Sequence, residues 1–326
     1  MADSLDASQF QIQAEQILDE VSKAVIGKRG ALKIALAALM ADGHILVEDL
    51  PGLAKTLMAR SFAAAIDLDF KRIQFTPDLM PADVTGTSVY NQATGLFAFQ
   101  PGPIFTNLLL ADEINRAPAK TQAALLEAMQ ERQVTLDGET MKLAAPFLVI
   151  ATQNPIEFEG TYPLPEAQLD RFLIRMTIGY PSSEDETNIL EQRVERRHDE
   201  VTVRPVIDKT LWLRLQRSLE SIHVSRAVLR YVVAIVNSTR SNARLQIGAS
   251  PRGALSLMKM ARAWAGLEGR DYVLPDDVKT VAVAALAHRV SLKPELWVQD
   301  QSTDQSVLES VQAVPTPTAA ELAHEL

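Results

Sequence analysis

The sequence predicts an α/β domain with a mainly parallel five-stranded sheet, followed by a smaller all-helical domain. Apolar runs near residues 45, 72, 109, 148 and 174 alternate mostly with segments of helical composition. The composition changes after Gly179-Tyr180-Pro181, and from about residue 207 the apolar spacing is helical only. Polar residues follow several predicted strands, at the edge where sheets of this kind bind ligands.

Local signals define the individual elements. Helical spacing, with stop signals such as Asp42-Gly43, predicts helices over 9–23, 31–41, 118–131, 207–220, 224–241, 250–265 and 275–288. Apolar runs of strand length predict strands over 44–48, 71–75, 107–113, 147–152 and 172–178. Asp137-Gly138 predicts the turn of a hairpin over 133–143.

Residues 76–106 form a long insertion rich in Pro and Gly, with a hairpin expected around Gly95. Insertions of this length inside compact domains are usually functional. The chain then divides into an α/β core, a connecting helix or linker, a helical domain and a C-terminal tail, at 1–181, 182–206, 207–300 and 301–326. The tail is rich in Gln, Ser, Thr and Pro, and we expect it to be frayed or loosely docked.

Composition excludes several classes of function. The chain has 326 residues and no cysteine, which removes disulfides, thiolate metal sites and cysteine nucleophiles. A formal net charge of −9 argues against a broad nucleic-acid surface. The five histidines have no metal-ligand spacing, and no protease or esterase motif is present. The first residues lack the pattern of a signal peptide and no apolar run could span a bilayer, so we expect a cytoplasmic protein.

Residues 49–56, DLPGLAKT, indicate a phosphate-binding loop between a buried strand and a helix. Amide groups at a helix N-terminus bind anions, Lys55 would reach the outer phosphates, and the Thr56 hydroxyl would ligate Mg²⁺. Asp49 and Ala54 stand where the general motif has glycine, and a strand–turn–helix with an exposed lysine is the alternative. Ala54 would cost about 1–2 kcal/mol if its φ is positive, and little otherwise.

Carboxylates and an amide follow two further strands. Asp112 and Glu113 end one strand, so one carboxylate can hold the Mg²⁺ shell while the other polarises a water molecule. Asn154 ends the next strand and can orient the same water. Alternatively, Asp112 and Glu113 are acidic residues at the start of the next helix, and Asn154 is a turn residue before Pro155.

Two arginines could neutralise charge on a γ-phosphate. Arg171 comes just before the last predicted strand, and Arg252 begins a helix of the second domain. Composition alone favours surface positions for both.

The chain resembles the MoxR family of AAA+ ATPases. The resemblance rests on six stretches: EDLPGLAKT at 48–56, RIQFTPDLMPADVTG at 72–86, LLADEINRAP at 109–118, ATQNP at 151–155, GTYPLPEAQLDRF at 160–172 and SPR at 250–252. It covers both domains and implies an AAA+ core with a P-loop, a helical lid, and ATP and Mg²⁺ as cofactors. Ala54 replaces a glycine of the general motif, although PGLAKT is similar to loops of this family.

The resemblance also implies a role for each matching residue. Nucleotide contacts would come from Val25, Ile26, Gly27, Pro51, Gly52, Leu53, Ala54, Lys55, Thr56 and Leu57. Thr56 and Asp112 would hold the metal. The catalytic set would be Glu113, Asn154 as sensor 1, Arg171 as an arginine finger toward the neighbouring subunit, and Arg252 as sensor 2, which would bring the lid down on the γ-phosphate.

Members of this family typically form hexameric rings and act as chaperone-like remodellers. Their clients often contain a von Willebrand factor A domain, and some members assist metal or cofactor insertion into an enzyme. The residues leave two alternatives open: a nucleotide-sensing scaffold with little hydrolysis, and a DNA-acting AAA+ protein. The net charge disfavours the second of these.

Overall fold

The computed structural model describes residues 6–93, 95–136, 138–155, 160–296, 301–318 and 321–322. The first half contains six helices and nine strands within these ranges: α1 (Ala7–Ser22), α2 (Arg29–Met40), β1 (Ile45–Glu48), α3 (Lys55–Ala65), β2 (Phe70–Gln74), α4 (Pro81–Thr85), β3 (Gly86–Asn91), β4 (Leu96–Pro101), β5 (Leu108–Asp112), α5 (Ala119–Glu131), β6 (Gln133–Leu136), β7 (Glu139–Lys142), β8 (Leu148–Gln153), α6 (Glu166–Leu169) and β9 (Ile174–Met176).

The central sheet has the strand order β2-β5-β8-β1-β9, and each neighbouring pair is parallel. This confirms the predicted five-stranded sheet. Parallel strands are covered on both faces, which explains their continuous apolar sequences. Within β1, Ile45 and Val47 face one hydrophobic core and Leu46 faces the other, because neighbouring side chains of a strand point to opposite faces.

Two hairpins project from this core. Strands β3 and β4 pair antiparallel inside the predicted insertion, and β6 pairs with β7 where the second hairpin is expected. Both predicted hairpins are therefore confirmed. Thr94 and Asp137, where the sequence predicts the two turns, lie outside the described residues.

The second half is mainly helical. Its elements are α7 (Ser183–Arg196), α8 (Lys209–Ser218), α9 (Arg226–Ser241), β10 (Leu245–Ile247), α10 (Pro251–Leu267), α11 (Pro275–Leu286), β11 (Ser291–Leu292) and α12 (Thr303–Gln312). An antiparallel ribbon of β10 and β11 joins the helices. Its strands are too short to give a period-2 pattern, so the sequence did not predict them. None of the helices within the described residues is long and apolar enough to cross a membrane.

The prediction of a frayed tail is wrong for α12. The helix is capped by Ser302, whose hydroxyl accepts from the Gln305 amide, and it buries Val307 and Val311. Asn242 donates to the Ser306 carbonyl at 3.2 Å and to the Ser310 hydroxyl at 3.1 Å. Small serines at this contact allow close packing, so a polar composition does not prevent docking. Residues 319–320 and 323–326 of the tail lie outside the described residues.

Candidate nucleotide-binding site

The phosphate loop connects the carboxyl end of β1 to the first turn of α3, which begins at Lys55. The first amide groups of a helix have no partner within the helix and point along its axis, so this turn can bind an anion. The Lys55 ammonium donates to the Asp49 carbonyl oxygen at 2.5 Å, which holds the lysine against the loop. Gly52, inside the loop, has a φ of 83°.

Ala54 occupies the left-handed region, with φ 56° and ψ 17°. An L-residue with a side chain is strained there by about 1–2 kcal/mol, whereas glycine is not. The strain lies at the residue that precedes Lys55, where the general motif has glycine. Because the φ of Ala54 is positive, the residue carries the strain that the sequence predicted for that case.

We expect Ala54→Gly to stabilise the protein. Relief of the left-handed strain outweighs the extra unfolded-state entropy of glycine, and leaves a gain of roughly 0.5–1 kcal/mol. Urea unfolding of the nucleotide-free protein measures this change. Ala41→Gly is the matched control, because Ala41 has a negative φ of −72° and gains nothing from glycine. A loss of stability on Ala54→Gly would contradict the interpretation.

Asp49 has a structural role that the sequence did not reveal. Its side chain is buried, and one carboxylate oxygen accepts from the backbone amides of Ile178 and Gly179, each at 2.7 Å. The other oxygen accepts from the Leu50 amide at 3.0 Å. Asp49, which stands where the general motif has its first glycine, thus fastens the phosphate loop to the segment that follows β9 and leads to α7.

A cavity of about 450 Å³ opens beside the loop. Six of the predicted nucleotide contacts line it: Val25, Ile26, Gly52, Leu53, Ala54 and Leu57. Gly27, Pro51, Lys55 and Thr56 are not among the lining residues. Gly27 has a φ of 73°, which strains any residue with a side chain, and an added Cβ would lie 2.2 Å from Cγ of Asp185, which would have to move. The lining of this cavity is mainly apolar, which suits a flat, uncharged base.

The two predicted acids lie at the carboxyl end of β5. Asp112 is buried, and Glu113 follows it in the left-handed region at φ 56°. The Thr152 hydroxyl donates to Asp112 Oδ1 at 2.5 Å and accepts from the Glu113 amide at 2.9 Å. One hydroxyl on β8 therefore fixes both residues.

Two residues of β2 complete this cluster and were not predicted. Arg72 donates to Asp112 Oδ2 through Nε at 3.0 Å and through Nη2 at 2.7 Å. Gln74 accepts from the same guanidinium at 2.7 Å and donates to Glu113 Oε2 at 2.6 Å. Residues two positions apart on a strand point to the same face, and this spacing of Arg72 and Gln74 was the only sequence signal that could have grouped them.

Asn154 directly follows β8 and is buried. Strand β8 lies between β5 and β1 in the sheet. The asparagine thus leaves the sheet between the acids at the end of β5 and the phosphate loop at the end of β1. The topology brings together the three strand ends that the sequence predicted.

The predicted arginines lie elsewhere. Arg171 and Arg252 both line a second cavity of about 310 Å³, together with residues 42–44 that precede β1. Arg171 precedes β9, whereas the phosphate loop follows β1, which is parallel to β9. The second cavity is therefore at the amino ends of these strands and the loop is at their carboxyl ends. The four residues of β1 alone span about 10 Å.

Charge in the second cavity is mainly positive. Its basic lining residues are Arg132, Arg171, Arg252, Lys259 and Arg289, against the carboxylates of Asp42 and Asp170. Arg252 forms an ion pair with Asp170 at 3.5 Å. Burial lowers the pKa of Arg289 to about 10, which leaves it protonated at neutral pH. A surface of this charge suits a polyanion.

The residues around the loop fit Mg²⁺ bound with a nucleotide. Within the described ranges there is no group of three or more His, Cys, Asp and Glu side chains that could hold a metal ion alone. Mg²⁺ in phosphate sites needs only one or two protein oxygens, since phosphates and water supply the others. The Asp112 carboxylate at the strand end and the Thr56 hydroxyl on α3 are donors of the right kind.

Comparison with known proteins agrees with this architecture. The family model of the ATPase family associated with various cellular activities (AAA) matches residues 44–174, and the AAA lid domain model matches residues 237–311. The protein YeaC of Bacillus subtilis is 50% identical over 92% of this chain and 93% of its own length. Chaperone MoxR1 of Mycobacterium tuberculosis is 42% identical over 93% of this chain and 82% of its own.

A solved structure is also similar along nearly the whole chain. The crystal structure of a candidate ATPase from Cytophaga hutchinsonii superposes with a TM-score of 0.88 at 40% identity, and the match covers 96% of this chain and 97% of that one. The lid model extends into α12, in agreement with the docked position of that helix.

Proposed function

Because this chain belongs to the MoxR family of AAA+ ATPases, we propose that it hydrolyses Mg-ATP in a homo-oligomeric ring and remodels a client protein. One observation carries the proposal. The loop, the acids and Asn154 meet at one edge of the sheet, while Arg171 and Arg252 line a basic cavity at the amino ends of the strands. A subunit of this shape supplies its arginines to the nucleotide of a neighbour.

Within one subunit, the phosphate loop binds the nucleotide. The cavity beside Val25 and Ile26 takes the adenine, and Lys55 with the first amides of α3 binds the phosphates. Thr56 and Asp112 would hold Mg²⁺, which would supply positive charge against the phosphate oxygens. Asp49 keeps the loop in place through its bonds to the chain after β9.

Hydrolysis requires a polarised water molecule. Glu113 accepts a proton from this water and Asn154 orients it, since both residues follow strands at the loop edge. Gln74 donates to Glu113 Oε2 at 2.6 Å, and Arg116 Nε lies 3.0 Å from the same oxygen. Glu113 would exchange at least one of these contacts for the attacking water.

The neighbour completes the site. Arg171 and Arg252 neutralise charge on the γ-phosphate of the next subunit, and therefore contacts between subunits are head-to-tail. Such contacts form a ring when the rotation between neighbours closes, and we propose a hexamer from the family resemblance. In this proposal Arg252 acts between subunits, whereas the resemblance implied only that it brings the lid down on the γ-phosphate.

We also propose a chaperone-like role, supported by the relationship to Chaperone MoxR1. The two hairpins offer client contacts: Leu96 and Phe97 are 68% and 73% exposed. A groove of about 700 Å³ lies between the hairpins and is lined by Phe97, Phe99 and Met141 among others. From the family, the client is a protein with a von Willebrand factor A domain or an enzyme that receives a metal or cofactor.

ATP hydrolysis measured against protein concentration, with Mg²⁺, tests the proposal. We expect specific activity to rise with concentration as mass photometry or light scattering detects a larger ring, because each active site needs two subunits. Lys142→Ala, a change on the projecting hairpin, is the control and keeps the same dependence. Nucleotide binding with assembly but no hydrolysis at any concentration would instead favour the nucleotide-sensing scaffold.

We further propose domain limits that follow the structure. The core spans 1–181 and the connecting helix falls within 182–206. The lid begins near 207 and extends through α12 instead of ending at 300, since α12 buries Val307 and Val311 and is covered in part by the lid model.

A further inference from the structure

Two lid residues form hydrogen bonds to the backbone on both sides of Arg171. The Arg289 guanidinium donates from Nη1 to the Asp170 carbonyl at 3.2 Å and from Nη2 to the Phe172 carbonyl at 2.5 Å. His288 Nε2 lies 3.1 Å from the same Phe172 oxygen. Two consecutive lid residues therefore hold the backbone immediately before and after Arg171.

Arg289 is built into the lid as well as bonded to the core. Its Nε donates to the Ala285 carbonyl at 2.8 Å, and its side chain is only 2% exposed. Its Nη1 also forms an ion pair with the Asp170 carboxylate. A buried guanidinium with several charge-assisted or carbonyl bonds cannot move without carrying its acceptors with it.

Asp170 connects this contact to the second arginine of the basic cavity. Its carboxylate binds Arg289 through one oxygen and lies 3.5 Å from Arg252 through the other. Asp170 is thus the chain neighbour of Arg171 and the ion-pair partner of Arg252, and Arg289 binds it. A shift of the lid at Arg289 would therefore act on both arginines.

We propose that His288 and Arg289 are positioning residues: they couple lid position to the direction in which Arg171 and Arg252 face the nucleotide of the neighbouring subunit. The inference rests on the proposed function, because it needs those arginines to act between subunits. It adds that the lid of one subunit controls the hydrolysis rate of the next.

Arg175, in the middle of β9, connects the lid to the phosphate loop of the same subunit. Arg175 on β9 lies 3.2 Å from Glu48, the residue before the phosphate loop, and pairs with Asp304 on α12. Asp49, in the loop, holds Ile178 and Gly179 after β9. Strand β9 thus carries a loop contact at its carboxyl end and the Arg171 contact at its amino end.

Mixed rings test the inference. Arg289→Gln leaves its own phosphate loop intact, so we expect the affinity for ATP to change little while kcat falls roughly 10–100-fold, as expected for a misplaced catalytic group. The variant is then mixed with Lys55→Ala subunits, which cannot use ATP but present a correctly held Arg171. Recovery of hydrolysis in the mixture is the expected result.

A purely structural role for Arg289 predicts the opposite. A subunit that has lost its own fold or its own nucleotide site stays inactive beside any neighbour, so the mixture would show no recovery and the inference would be overturned. Arg270→Gln is the matched control. The guanidinium of Arg270 bonds to Asp277 and the Tyr272 carbonyl, both within the lid, so kcat of its rings should stay unchanged.

Two further arms keep the result unambiguous. A mixture of Arg171→Ala and Lys55→Ala subunits is run in parallel. If hydrolysis recovers in this mixture but not in the mixture with Arg289→Gln, the inference about Arg289 is overturned and the proposed function stands. If hydrolysis recovers in neither mixture, both the shared active site and the inference are overturned. If Arg289→Gln does not fold, His288→Ala replaces it, because it removes one bond to Phe172 and should give a smaller loss that the same mixing restores.

Discussion

Subunits carrying Arg171→Ala should regain ATP hydrolysis when they are mixed with Lys55→Ala subunits, although neither variant hydrolyses ATP at a useful rate alone. Arg171 lines a basic cavity at the amino end of its strand, and Lys55 is at the carboxyl edge of the sheet. A mixed interface joins the intact loop of one subunit to the intact arginine of the other.

The expected magnitude is large because an arginine supplied to a phosphoryl-transfer site is worth roughly 10³–10⁵ in kcat. Random mixing in equal amounts makes about one interface in four complete in a closed ring of head-to-tail contacts. We therefore expect recovery of a sizeable fraction of the wild-type rate from two nearly inactive preparations.

Steady-state hydrolysis across a range of mixing ratios measures this recovery, with ring assembly checked by mass. Arg226→Ala, a change of an exposed arginine outside both cavities, is the matched control and should remain active alone. If Arg171 acted within its own subunit, no ratio of the two variants would give more than the sum of their separate rates.

Glu113→Gln should bind ATP normally and hydrolyse it about 10²–10⁴-fold more slowly than the unchanged protein. The amide keeps the size of the side chain and can still accept from Gln74, so the geometry around Thr152 is preserved. The lost negative charge removes the group that accepts a proton from the attacking water.

Nucleotide affinity by fluorescence titration and turnover by phosphate release separate these two effects. Glu131→Gln, an exposed change at the end of α5, controls for the general loss of one negative charge. Wild-type turnover by Glu113→Gln would remove Glu113 from the catalytic role, whereas loss of ATP binding would place it among the nucleotide ligands.

Much of the fold was predictable because its signals are local. Apolar runs of strand length, helix stop signals and the hairpin turns gave the five-stranded sheet and both hairpins. The ribbon of β10 and β11 and the docking of α12 were not predictable, since very short strands carry no period and α12 buries serines beside its valines.

The candidate site shows the same division. Residues at strand ends were predictable as a group because parallel strands bring their carboxyl ends to one edge of the sheet. Arg72, Gln74 and Arg289 were not, because each acts on a residue at least 39 positions away in sequence. Only a folded chain identifies such partners.

By itself, the sequence determined the α/β class, the phosphate loop and the residue types that meet at its edge, because strand length, helix spacing and loop chemistry are written over a few neighbouring positions. Tertiary structure alone decided that Asp49 fastens the loop to the chain after β9, and that Arg171 and Arg252 line a cavity at the amino ends of the strands. The physical reason is that strand order and lid packing bring together groups whose separation along the chain carries no local signal.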